Sequence, residues 1–192
     1  MSCEHCCYAC TANGKDMSIK IFKKALEIDD MPSIGGGEPT IHPKFWEFMG
    51  LAIGKCEYVW LATNGKKTQI ALTLAKMAKR GIIGCALSQD NYHDPIDPVV
   101  VRAFENKARM GDTDQREIRN MNGKELNAGR CDFGKDGCVC SDLICKPNGD
   151  VFACGCEGAP KFGNVNTGFE IPDNWEHGEC YGFQENDMLV RN

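Results

Sequence analysis

The chain has 192 residues, 13 of them cysteine and 21 glycine, with 42% hydrophobic content, 26% charged residues and a formal net charge of -5. That length suits one domain, or one domain with a small appendage, at roughly 100–200 residues per domain, and it is long enough to bury a real core. The composition excludes wholesale disorder, and no apolar run approaches the roughly 20 residues of a membrane-crossing helix. Mild acidity offers no broad basic surface for nucleic acid, and Lys20, Lys23 and Lys24 read as a solvated helix face.

The chain opens on a cysteine group, Cys3-Glu4-His5-Cys6-Cys7-Tyr8-Ala9-Cys10, followed by a polar loop and by Ser18 as an N-cap. Ile19, Phe22 and Leu26 recur at helical spacing, which predicts a helix to about Asp30. Pro32-Ser33-Ile34 runs into Gly35-Gly36-Gly37-Glu38-Pro39, and a second helix is expected after Pro43 with Phe45, Phe48, Met49 and Ala52 on one face. Tyr58 to Thr63 reads as a buried strand, Asn64-Gly65 as its turn, and Thr68 to Arg80 as a helix stopped by Gly81. Ile82 to Ser88 is the next strand, Gln89 to Asp94 a loop, and Pro98 starts a helix with Val100, Ala103, Phe104 and Lys107 on one side. Gln115 to Met121 reads as one more short strand.

Strands alternating with helices imply a parallel sheet with right-handed crossovers, as in a doubly wound sheet or a (β/α) barrel, and periodicity does not choose between them. After Gly111 the pattern weakens, and the expected division is 1–130 for the α/β core and 131–192 for a small cysteine-rich module. Within that module, Asn148-Gly149 between two apolar runs predicts a hairpin. With those two residues as the turn, Lys146 opposes Val151 and Cys145 opposes Phe152, which puts Cys145 and Cys154 on one face as diagonal neighbours.

An odd cysteine count, with neither a charged n-region nor an apolar h-region at the start, argues for a reducing cytoplasmic setting over a disulfide framework. Isolated Cys56 and Cys85 read as small buried hydrophobes. The opening octet allows two metal readings. Two C-x-x-C pairs suggest half a zinc site, although four ligands in eight residues are cramped for tetrahedral geometry. As C-x3-C-x2-C, Cys3, Cys7 and Cys10 can hold three corners of a cubane cluster and leave the fourth iron open, with Cys6 as a non-ligand neighbour.

On Cys3-x3-Cys7-x2-Cys10, followed one helix later by Gly35-Gly36-Gly37-Glu38-Pro39-Thr40, the sequence resembles the radical S-adenosylmethionine (SAM) superfamily. Thr63-Asn64-Gly65 and Ser88-Gln89-Asp90 also look like strand-end segments of that family, and the resemblance runs from Cys3 to about Asp90. It implies a shortened, partial (β/α) barrel, a 4Fe-4S cluster on Cys3, Cys7 and Cys10, and SAM bound to the open iron. Gly36, Gly37 and Glu38 would then meet the methionine amino group, and Asn64, Ser88 and Asp90 would line the cofactor site. His93 is the candidate proton-handling, catalytic residue. The implied reaction is reductive cleavage of SAM to a 5′-deoxyadenosyl radical that abstracts hydrogen from substrate. An electron donor such as flavodoxin or ferredoxin is the implied partner.

In the tail, Gly149-x4-Cys154 and Phe162-Gly163-Asn164-Val165 resemble the SPASM or twitch extension of part of that superfamily. The resemblance implies a small C-terminal β-hairpin iron-sulfur module, with one auxiliary 4Fe-4S cluster drawn from Cys138, Cys140, Cys145, Cys154, Cys156 and Cys180. A structural zinc ribbon remains the alternative for that pool. The full series of SPASM cysteines is absent, only Met1 and Ser2 precede the cysteine loop where the family places a strand, and 111–137 is short for the remaining barrel units. The tail tilts the expected substrate toward a peptide or protein side chain. The alternatives are a small metabolite or nucleotide as substrate, and a non-catalytic iron-sulfur or zinc module used for electron transfer or binding.

Overall fold

The strand-helix alternation expected from residue 33 onward is present in the computed structural model, which describes residues 6, 8, 10–105, 113–120, 122, 143–155 and 159–172. The chain divides into two units, one of Met1 with Leu26–Asn122 and one combining Ser2–Ala25 with Gly123–Asn192.

In the first unit, β1 (Ser33–Ile34), β2 (Trp60–Thr63), β3 (Gly84–Ser88) and β4 (Arg116–Arg119) form a parallel sheet in the order β1-β2-β3-β4. Among the described residues the order is monotonic, without the reversal that defines the switch point of a doubly wound sheet. Parallel neighbours require a crossover. Here the crossovers carry α2 (Phe45–Lys55), α3 (Thr68–Lys79) and α4 (Pro98–Phe104).

Burial follows the sequence pattern. Phe45, Phe48, Met49 and Ala52 of α2 and Ala71, Leu74, Ala75 and Ala78 of α3 are buried. Gly84 through Leu87 are buried without alternation, as expected for a strand covered on both faces. Each fully buried Leu, Met or Phe here contributes about 1.5–3 kcal/mol.

Local chemistry sets most boundaries. Asp97 caps α4 by accepting from the Val99 amide at 2.9 Å, with Pro98 at the first helical position. Gly81 turns the chain after α3 with φ +70 and donates to the Ala78 carbonyl. Strand β3 begins at Gly84 rather than Ile82, because the Ile82 amide still bonds the Met77 carbonyl at the end of α3. Gly84 itself is required by packing, since a β-carbon there would stand 2.0 Å from the Tyr58 hydroxyl and 2.7 Å from Trp60 Cδ1.

In the second unit, Ser18 caps α1 (Ile19–Ala25) as expected, its Oγ accepting from the Ile21 amide at 3.3 Å. The helix ends at Ala25, short of the expected Asp30. Asp29 accepts from the Met31 amide in an Asx turn, and Pro32 disfavours a helical Met31. Lys24 departs from the solvated face expected of it, since it is half-buried and its Nζ donates to the Val165 carbonyl at 3.2 Å.

The remaining strands, β5 (Ile144–Cys145), β6 (Asp150–Phe152), β7 (Lys161–Asn164) and β8 (Gly168–Phe169), form an antiparallel sheet in sequence order. The Asn148-Gly149 hairpin forms with a register one residue from the expected one. Cys145 opposes Val151, and Ile144 opposes Phe152. Pro147 is the reason. It occupies the second position of a turn closed by Gly149 N–H to the Lys146 carbonyl at 2.8 Å, and Gly149 follows at φ +87, which makes a three-residue loop. A one-residue slip exchanges faces. The alternation that placed Cys145 and Cys154 together therefore fails, and Cys154 lies in the bend after β6.

Candidate functional site

Three loops leave the C-terminal ends of adjacent parallel strands β1, β2 and β3, where α/β domains collect reactive groups. The first is Gly35-Gly36-Gly37. These glycines are exposed, a β-carbon on any of them would meet nothing within 4 Å, and Gly36 has φ +114. The loop therefore presents bare backbone to a ligand.

Glu38 follows and turns inward, only 5% exposed. Its Oε1 accepts from Thr40 N at 3.2 Å, Thr40 Oγ1 at 2.6 Å and Thr63 Oγ1 at 2.8 Å, while Oε2 accepts from the Asn64 amide at 2.7 Å. Every one of these partners is a donor, which suits an acceptor-only carboxylate. The side chain thus ties the loop after β1 to the end of β2. Thr63 in turn accepts from the Gly65 amide at 3.2 Å, and the buried Asn64 side chain accepts from Lys66 N at 3.1 Å. Thr40 and Thr63 are the residues that sequence reasoning missed. Both sat inside recognised segments, Glu38-Pro39-Thr40 and Thr63-Asn64-Gly65, but nothing local shows that their hydroxyls converge on one carboxylate.

Beyond β3, Ser88 closes the strand opposite Arg119 of β4. The Asp90 side chain is 0% exposed. Its Oδ1 accepts from the Tyr92 amide at 3.0 Å and lies 2.7 Å from His93 Nδ1. An acceptor-only carboxylate at that distance fixes the orientation of the ring and calls for a proton on Nδ1. Asp90 Oδ2 is buried with no hydrogen-bond partner among the described residues. Such an atom is costly unless a donor reaches it, so it fits a ligand offering an amine or hydroxyl. Lys66 and Asp94 pair across the second and third loops, and this contact holds the Asp94 carboxyl below its usual range. Buried Cys85 beneath the site has its thiol pushed up to about 12, first by burial and then by Glu38.

The cysteines considered as metal ligands belong to the other unit. Cys10 is half-buried, and its amide donates to Cys6 Sγ at 3.3 Å. Cys3 and Cys7 lie outside the described residues, as do Cys138, Cys140, Cys156 and Cys180. Cys145 is half-buried, with its thiol raised by burial and then by Asp150, and Cys154 is buried. No group of three candidate metal ligands occurs among the described residues.

No family model matches the chain. It is similar to mycofactocin maturase MftC of Mycolicibacterium smegmatis, with 28% identity over 134 residues, covering 60% of this chain and 33% of the relative. It is also similar to mycofactocin maturase MftC of Mycobacterium ulcerans, with 31% identity over 93 residues, covering 44% of this chain and 25% of the relative. The chain thus spans a third or less of the length of these relatives. No helix among the described residues is long and apolar enough to cross a membrane.

Proposed function

We propose that the chain carries the core of a radical SAM enzyme acting in a reducing cytoplasm, with the core over 1–130 and a SPASM- or twitch-like cysteine module over 131–192. The observation that carries this reading is the strand-end constellation: exposed glycine backbone after β1, Glu38 bonded to Thr63 and Asn64 of β2, and the unmet Asp90 Oδ2 after β3. The monotonic strand order supports an arc of a (β/α) barrel. Similarity to two maturases, both radical SAM enzymes, supports a catalytic protein over a passive metal module.

Cluster and SAM, when bound, supply reductive cleavage of the sulfonium and the hydrogen abstraction that follows. The chain's residues supply the rest. Cys3, Cys7 and Cys10 would hold the cluster. The Gly36-Gly37 backbone admits the methionine end of SAM, and Glu38 Oε2, with one described donor, retains capacity for an ammonium N–H. Asn64 and Ser88 line the same edge, and Asp90 Oδ2 accepts a hydroxyl or amine of the ligand. Asp90 also fixes His93, so that Nε2 can take or return a proton at the substrate. Cys138 or Cys140 with Cys145, Cys154, Cys156 and Cys180 forms the pool for an auxiliary 4Fe-4S cluster, with zinc as the alternative outcome of metal analysis. The substrate is a peptide or protein side chain, a choice supported by the relatives' being maturases, and the electron donor is a flavodoxin or ferredoxin.

Anaerobic reconstitution with iron and sulfide, followed by dithionite and SAM, tests the reading. Release of 5′-deoxyadenosine, detected by liquid chromatography and mass spectrometry, is expected. A cluster-loaded protein that releases none overturns it.

A further inference from the structure

Tyr8 and Gly155 meet within the second unit, and each stands inside a different cysteine group. Tyr8 lies two residues before Cys10, and Gly155 falls between Cys154 and Cys156 in the sequence. A β-carbon on Gly155 would stand 2.1 Å from both Cδ1 and Cε1 of the Tyr8 ring. The φ of Gly155 is outside the left-handed region, so its backbone does not call for glycine. Room for the ring does. Tyr8 keeps 41% of its surface exposed, so the ring rests against this backbone by one side without being enclosed. On either side of Tyr8 in the sequence, the Cys10 amide donates to Cys6 Sγ, and the partner backbone follows directly on buried Cys154.

We propose that the contact of Tyr8 with Gly155 couples the two cysteine groups in which these residues stand and thereby steadies metal held by Cys3, Cys7 and Cys10, with Tyr8 as a positioning residue. This inference rests on the metal-binding reading of Cys3, Cys7 and Cys10. Contacts beyond the ligands orient the ligands, and losing one typically weakens metal retention. The contact is specific in shape, because an alanine at 155 and the ring at 8 compete for one volume.

The test uses the full chain, reconstituted anaerobically, with iron loss to a chelator as the readout. Gly155→Ala and Tyr8→Ala are each expected to lose iron about tenfold faster than the parent. The double variant is expected to be no faster than Tyr8→Ala alone, since removing the ring restores room for the methyl group. Tyr8→Phe keeps the ring and should match the parent. Unchanged rates in both single variants, additive effects in the double variant, or fast loss in Tyr8→Phe would each overturn the inference. If Gly155→Ala fails to fold by circular dichroism, Tyr8→Ala against Tyr8→Phe carries the test. A parent that binds iron but releases no 5′-deoxyadenosine overturns the enzyme reading and leaves this comparison decisive. A parent that binds no iron overturns both.

Discussion

Glu38→Gln isolates the tie between β1 and β2. The carboxylate accepts four hydrogen bonds from described residues, three at Oε1 and one at Oε2. An amide of the same shape keeps one oxygen and must turn its NH2 toward donors, so either the Asn64 N–H or the Thr40 and Thr63 groups face another donor. At 5% exposure, water does not relieve that conflict. A buried unsatisfied donor costs about 1–3 kcal/mol, and the surviving bonds lose charge assistance, so roughly 2–4 kcal/mol is expected in all. With a urea slope of about 2 kcal/mol per molar, the unfolding midpoint of the metal-free, reduced protein should fall by about 1–2 M. Thr63→Val removes one of the same bonds together with the acceptor of the Gly65 amide, and should cost about 1–3 kcal/mol, with a non-additive double variant. A loss under about 0.5 kcal/mol, as for an ordinary surface substitution, would refute the argument that this carboxylate holds the strand ends together.

Three further outcomes are expected. Gly84→Ala pushes a methyl group into the Tyr58 hydroxyl and Trp60, and overpacking of about 1–3 kcal/mol should appear as a lower Tm that Tyr58→Phe partly restores. Cys85, whose thiol is pushed up to about 12 by burial, should resist iodoacetamide at neutral pH in the native protein and react only after unfolding, as read by peptide mass spectrometry; native alkylation would contradict its placement. Asp150 is held near 2, below the ordinary 3.8, chiefly by Lys161 and then Asn164. Because the folded value is the lower one, this contribution is present above about pH 4 and disappears as pH falls through about 2. Carbon-13 titration of the Asp150 carboxyl should show the low midpoint, and Lys161→Met should raise it.

Much of the first unit was legible because its signals act within a turn or two of chain. Asp97 and Pro98 start α4, Gly81 stops α3, and apolar periodicity marks the buried faces of α2 and α3. The candidate groups could be named for the same reason: Gly36, Gly37, Glu38, Asn64, Ser88 and Asp90 sit at recognisable strand ends. Their relationships could not be named. The convergence of Thr40 and Thr63 on Glu38 exists only after β1 and β2 pair, and the Tyr58 hydroxyl reaches Gly84 only across the sheet.

The hairpin shows where the two kinds of information part. Asn148-Gly149 announced a turn, but Pro147 and the bonding of Asp150 to Lys161 and Asn164 favoured a three-residue loop, and that one residue exchanged the faces of β6 relative to β5. The amino-acid order by itself determined most strands, helices and turns of the first unit and which side chains are chemically capable. Tertiary structure alone decided which of them meet, from Glu38 with Thr63 to Tyr8 with Gly155. Capping and turn chemistry are settled among neighbouring residues, whereas these contacts depend on closing loops between distant parts of the chain and burying their polar groups together.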